Sequence, residues 1–467
     1  MKRMLRMSLC AVLAAGLLAS CGAPVQEPAG TGTTEVETEA ARGTREPVTE
    51  DPIDYGELGQ IPFAGLEPSP EGDFTVSEVP GGVTVTGYTG SAERVRIPDR
   101  IGGVTVTAIG EGAFRGQGTV RVLWIPDSVT VFGSDALVGM RSLYALHTPL
   151  PAEEGKQFLG WLFGAETYER NNVEDLRRID FLEIGGSLTE LPAYALFDCN
   201  DLVTVRLPAG MTAIGSYALA RCAGLKTLDV SGLVSLGEGA LLGCTSLSEL
   251  VFGSALEHIG CEALGSCTSL HRLTLPFVGE SRQDNRFLGW LFGARAAELS
   301  PGLYPTGLRS VTLLDGTGAL AAEAFYAAPV EQLTVGSGLT EIGDRAFADC
   351  TRLTELVLPS GVTAIGANAF SGCMALETVT LPEGLVSLGV QAFLGCTALT
   401  SVTLPKSLET LPAGAFHGCR SLAAVDLGGV RSVGGNAFRG CTALVTLRAS
   451  GEVTFAAGNE TAAALLS

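Results

Sequence analysis

Nine cysteines form a ladder along this chain: Cys199, Cys222, Cys244 and Cys267, then Cys350, Cys373, Cys396, Cys419 and Cys441, at steps of 22 or 23 residues. Thiols so spaced admit three readings. A metal ladder needs four converging ligands with short spacings such as C-x2-C, and the chain has no such pair. Disulfides between successive copies are open, because stacked strands lie about 5 Å apart, within the Cα reach of a bridge. The third reading is structural, since free Cys is among the most readily buried side chains. Other copies carry Gln117, Met140 and Ala328 at the same position, so the site accepts residues without a thiol, which favours the third reading. Cys261 stands off the ladder with no evident partner.

The remaining reactive groups give no catalytic constellation. His147, His258, His271 and His417 fall at different repeat positions, and none has a carboxylate or thiol at a spacing that builds a triad or a metal site. Glu341, Asp344 and Asp349 read as a solvated edge. The glycines follow the repeat and lack the Lys-Ser/Thr of a phosphate loop. The expectation is a protein that is not an enzyme, with no metal and no cofactor. Two tryptophans stand out instead: QFLGWLFGA (Gln157 to Ala165) returns as RFLGWLFGA (Arg286 to Ala294), an offset of 129 residues. Segments so apolar do not belong in a solvated loop. They read either as a short helix capping a gap in a wall or as an aromatic ligand platform built on Trp161 and Trp290.

What must position these groups is a repeat of about 23 residues, clearest in IGANAFSGCMALETVTLPEGLVS (Ile365 to Ser387) and its successors LGVQAFLGCTALTSVTLPKSLET and LPAGAFHGCRSLAAVDLGGVRSV. Periodicity at this length indicates stacked coils. Within a copy, LETVTLP reads as a short strand with Val379 and Leu381 inward, stopped by Pro382. The Ala-Phe segment reads as one or two helical turns, with Gly before Cys permitting a tight bend. Alternation then sends Thr204 and Arg206, Thr227 and Asp229, Arg272 and Thr274, Glu355 and Val357, Thr378 and Thr380, Ser401 and Thr403, and Thr446 and Arg448 to one outward face. Short hydroxyl groups repeated along a sheet make a hydrogen-bonding surface, although Thr is also a good exposed strand residue.

The IG-x-x-AF-x-x-C-x-x-L-x-x-V-x-LP pattern resembles that of the bacterial BspA-like leucine-rich repeat family from about Ile109 to Leu447, with two interruptions. The resemblance implies a leucine-rich repeat solenoid: short parallel strands, short helical turns and right-handed stacked coils behind a β-rich N-terminal cap. It also implies a surface adhesin that engages host matrix proteins, other bacteria or glycans; a non-catalytic scaffold in the producer's own envelope is the alternative. Ligand contacts are expected at Trp161, Trp290, Arg272, Thr274, Thr378, Thr380, Ser401 and Thr403.

The ends supply an address. Lys2, Arg3 and Arg6 precede an apolar run from Leu9 to Leu18, a secretory signal too short to span a bilayer. Leu18-Ala19-Ser20-Cys21 resembles a bacterial lipobox, which implies cleavage before Cys21, lipid transfer to its sulfur and a mature chain tethered to the membrane by lipid alone. Between Glu35 and Glu57 there are eight acidic and two basic residues, a composition that reads as a disordered stalk. The organisation expected is a leader over 1–20, stalk over 21–72, cap over 73–108, repeats over 109–147, insert over 148–187, repeats over 188–276, second insert over 277–307, repeats over 308–449 and terminal cap over 450–467. A formal net charge of −20 argues against nucleic acid and anionic lipid as partners.

Overall fold

A computed structural model describes residues 62–283 and 286–466; the expected leader, the expected lipidation site Cys21 and the chain up to residue 61 lie outside these residues. The chain divides into Met1–Glu57, outside the described residues, and Leu58–Ser467. The second unit is a parallel β-solenoid whose coils recur about every 23 residues. Each regular coil gives one strand of three or four residues and one of two, as in Thr378–Thr380 and Ser387–Leu388. Both pair in parallel with the coil before: Val379 sits opposite Leu356, and Leu388 opposite Ile365. In Thr378–Thr380 the middle residue is buried and the threonines are exposed, as alternation demands.

The helical turns expected around Ala-Phe are corrected. Each such segment carries two residues in the left-handed region four positions apart, Asn368 (φ 54°) and Gly372 (φ 76°) in one coil, Gln391 (φ 56°) and Gly395 (φ 71°) in the next. Residues in that region cannot propagate a right-handed helix. The segment is a pair of tight turns, and among the described residues the α-helical element is Glu460–Ala463. Glycine serves twice here. Before Cys it relieves the left-handed backbone, whereas after Ile it permits close coil stacking: a Cβ on Gly389 would lie 2.3 Å from Ala367 N.

Turns of this shape aim their Phe side chains down the axis. Phe325, Phe347, Phe370, Phe393, Phe416 and Phe438 form a continuous stack with ring centroids 5.1 to 5.9 Å apart. The cysteines lie beside it, and all ten in the described residues are free thiols and buried. Their role is specific. Phe370 O accepts the backbone N–H of Cys373 at 3.2 Å and the thiol of Cys396, one coil on, at 3.1 Å. The same thiol-to-carbonyl bond joins Cys373 to Phe347, Cys419 to Phe393 and Cys441 to Phe416. Each thiol fills the second lone pair of a buried carbonyl. Burial pushes the Cys267, Cys350 and Cys441 thiols up to about 12.

The ends are closed differently. Phe74–Val79 pairs antiparallel with Gly82–Tyr88, which continues into Val104–Ile109 and the solenoid. The stalk expected over 21–72 stops short of its predicted end, because residues 62–72 are folded against the first coils, with Phe63 and Leu66 buried. At the other end buried Asn459 accepts from Phe438 N, the position that in Phe370 donates to Ala392 O of the next coil, and donates to Gly434 O and Ala456 O.

Candidate functional site

The two FLGWLFGA segments are short 3-10 helices, Leu159–Phe163 and Leu288–Phe292, each ended by a left-handed glycine. They take the place of the Ala-Phe turn in two long coils. Leu137 N donates to Leu162 O and Leu159 N to Ala195 O; Leu264 N donates to Leu291 O and Leu288 N to Ala324 O. These are the contacts that Phe and Ala make elsewhere, as from Phe370 N to Ala392 O. The long coils lack the two-residue strand, so its ladder stops after Val131–Phe132 and again after His258–Ile259. The indoles close those stops. Trp161 Nε1 donates to Phe132 O at 3.2 Å and Trp290 Nε1 to Ile259 O at 3.1 Å. In a regular coil that carbonyl receives a glycine N–H, as Ile365 O does from Gly389. A cation covers each ring, Lys156 Nζ at 4.6 Å from Trp161 and Arg286 Cζ at 4.6 Å from Trp290. The geometry is that of a wall element with its polar end already bonded.

The other predicted residues lie on the outward face of the longer strands. Arg272 is exposed and Thr274 half-buried in Arg272–Leu275. Thr378, Thr380, Ser401 and Thr403 are exposed further along the solenoid. Arg272 pairs with Glu249, the neighbouring outward residue, at 3.4 Å. That pair edges a feature that spacing does not reveal. Between Thr204–Arg206 and Glu249–Val251 the strand ladder is interrupted, and Thr227 makes only an isolated bridge to Thr204. In that coil Asp229 Oδ1 accepts from Ser231 N at 3.0 Å and Ser231 Oγ at 2.6 Å, closing a side-chain turn directly after the bridge. The Ser231 hydroxyl and N–H also hold the Asp229 carboxyl below its usual range.

A groove of about 900 Å³ opens over this break. Leu207, Met211 and Val251 line it with apolar surface, Val251 being 47% exposed, while Arg206, Asp229 and Glu249 supply charge of both signs. Apolar surface bordered by fixed charges is suited to holding a polypeptide segment in one register.

Nearer the N-terminus the same face changes character. The rows in register read Arg94, Val122, Ala145, Phe181, Thr204 and Arg96, Trp124, His147, Glu183, Arg206. Here coil stacking gives one histidine two carboxylate neighbours that sequence spacing does not show. His147 is 3% exposed, with Nδ1 3.1 Å from Glu183 Oε1 and Nε2 3.1 Å from Asp127 Oδ1. These partners are 36 and 20 residues away in sequence and meet only through coil stacking. Asp127 Oδ1 also accepts from Gly186 N at 2.7 Å, so the cluster ties three successive coils together. Trp124 stacks on the His147 ring at 3.4 Å. Among the described residues no group of three His, Cys, Asp or Glu side chains could hold a metal ion. No helix among them is long and apolar enough to cross a membrane.

Stacked strand–turn coils with an interrupted outward face define the class, a leucine-rich repeat solenoid. Residues 170–289 and 319–445, more than half of the chain, match the model of the BspA type leucine rich repeat region in six copies, and the chain belongs to that family. Leucine-rich repeat proteins generally mediate interactions with other proteins. Solved structures of leucine-rich repeat proteins are similar at low identity. A leucine-rich repeat protein from Bacteroides ovatus is 20% identical, covering 82% of this chain and 98% of its own, with a TM-score of 0.39. A leucine rich cell surface protein from Faecalibacterium prausnitzii is 22% identical, covering 83% and 95%, with a TM-score of 0.30. An internalin from Listeria monocytogenes is 18% identical, covering 60% and 77%, with a TM-score of 0.33. No curated protein matches the chain.

Proposed function

We propose that this protein is a non-catalytic, lipid-anchored binding protein of the bacterial cell surface that captures a partner through the outward strand face, centred on the groove between Thr204 and Val251. Its partner is a protein or glycan of host matrix or of another cell. The observation that carries this reading is the groove itself, where a break in the strand ladder exposes apolar and charged groups together. A regular exposed sheet of Thr and Ser offers hydrogen bonds but little apolar area to desolvate, and binding energy concentrates where both coincide.

The test is an array of matrix proteins and glycans probed with the full chain and an Arg206→Glu/Val251→Asp variant, beside Trp161→Phe as a wall control. Saturable binding weakened at least about ten-fold in the groove variant supports the reading. Binding retained there moves the site to Thr378, Thr380, Ser401 and Thr403, and silence across the array sinks adhesion in favour of an envelope scaffold. The anchor has its own test: Cys21→Ala is expected to shift the protein from the membrane fraction to the medium.

A further inference from the structure

We propose that the strand face of the first coils is a peptide-binding box, filled in cis by residues 62–69 and open in trans to a partner's turn-forming segment carrying one Phe or Tyr. The proposal rests on reading the strand face as the binding surface and names what that surface recognises. Outward strand positions elsewhere are mostly polar and exposed, yet Val122 and Ala145 are buried beneath Phe63 and Leu66, with Trp124, Tyr144 and Phe181 packed around them. Phe63 stands edge-on to Trp124 at 5.3 Å, to Phe181 at 5.8 Å and to His147 at 6.0 Å.

The grip on the covering segment is that of a ligand site. Arg94 Nη2 donates to Pro62 O at 2.9 Å and Arg96 Nη1 to Leu66 O at 3.2 Å, side-chain bonds to main-chain carbonyls on either side of a turn that Leu66 N closes onto Phe63 O. Ser69 alone adds strand-like pairing, its N donating to Arg96 O at 2.8 Å and its Oγ accepting from Arg96 N at 3.2 Å. One aromatic side chain and a run of carbonyls therefore define the recognised chemistry. The box also runs into the groove, because Arg206 lies 5.2 Å over Phe181 and lines the groove as well. A partner segment anchored in the box can continue over Leu207 and Val251, burying more surface than the cis segment does. That difference is what lets it displace a tethered competitor, whose presence multiplies the apparent affinity by the open fraction of the box.

The experiment uses the full chain and, as probe, a fluorescein-labelled peptide of the sequence Pro-Phe-Ala-Gly-Leu-Glu-Pro-Ser, copied from residues 62–69, read by fluorescence polarisation. Phe63→Ala is expected to bind it at least about ten-fold more tightly than the unaltered chain, with that binding lost in Phe63→Ala/Trp124→Ala and for a peptide with Ala in place of Phe. Hydrogen exchange over residues 94–206 accompanies each variant. No peptide binding by a Phe63→Ala protein whose exchange matches the parent overturns the proposal, and so does broad loss of protection in that variant, which makes the segment a structural lid. The array runs in parallel on the same proteins. Peptide failure with an unchanged array profile sinks the box alone, and array failure with peptide success sinks the groove reading alone.

Discussion

Trp161 and Trp290 do with a side chain what a glycine N–H does in regular coils, and this sets their energetic weight. Each caps a carbonyl at a stop in the two-residue ladder. Trp161→Phe keeps an aromatic body and deletes the donor, so the expected loss is about 1–3 kcal/mol, the cost of leaving a buried acceptor unmet. Urea titration with hydrogen exchange at residues 131–133 checks it; no change would return the indole to the role of ligand platform. The cysteines follow the same logic more weakly. Cys396→Ala removes a thiol donor and a little volume, with an expected cost of about 1 kcal/mol. The ladder's burial was legible from Gln117, Met140 and Ala328 at equivalent positions. The acceptor of each thiol was not, because a carbonyl one coil away leaves no mark in local spacing.

Coils transmit such changes only to their neighbours, since each touches just the coil above and below. Phe370 sits in the stack at 5.2 Å from Phe347 and 5.1 Å from Phe393, fully buried. Phe370→Ala should cost about 3–5 kcal/mol. Hydrogen exchange is expected to rise in the coils of Phe347, Phe370 and Phe393 and to stay unchanged near Phe132; uniform loss along the chain would contradict a nearest-neighbour solenoid. The strands and their inward faces were legible because a period of two survives in even three residues, as at Val379. The turns were misread as helical because left-handed positions are partly filled by Asn368 and Gln391, which carry no glycine signal. The break at Thr227 was equally hidden. Thr204, Arg206, Thr227 and Asp229 are an ordinary outward pattern, and the Asp229 side-chain turn does not mark the break either, because Asp426 makes the same turn onto Gly428 N in a strand paired on both sides.

At the scale of the molecule the buried thiols act together through pH. Burial raises the thiols of Cys199, Cys222, Cys244, Cys267, Cys350, Cys373 and Cys441, and at Cys396 the bond to the Cys419 side chain is the leading cause, followed by burial. Below pH about 7.5 these thiols are protonated in the folded and unfolded chain alike, and they add no pH dependence. As pH rises from there towards 12, the unfolded chain releases these protons while the folded chain retains them, so ionisation favours unfolding. Each thiol then removes up to about 1.4 kcal/mol per pH unit. Since the thiols are spread along the coils, their slopes add, and under reducing conditions the thermal midpoint should fall steeply between pH 9 and 11. Cys267→Ala/Cys350→Ala should lower stability modestly at pH 7 yet flatten the alkaline slope by two thiols' worth. A flat midpoint to pH 11 in the parent chain would mean that the solenoid opens locally to ionise its thiols, and the cysteine ladder would then be a set of independent local equilibria.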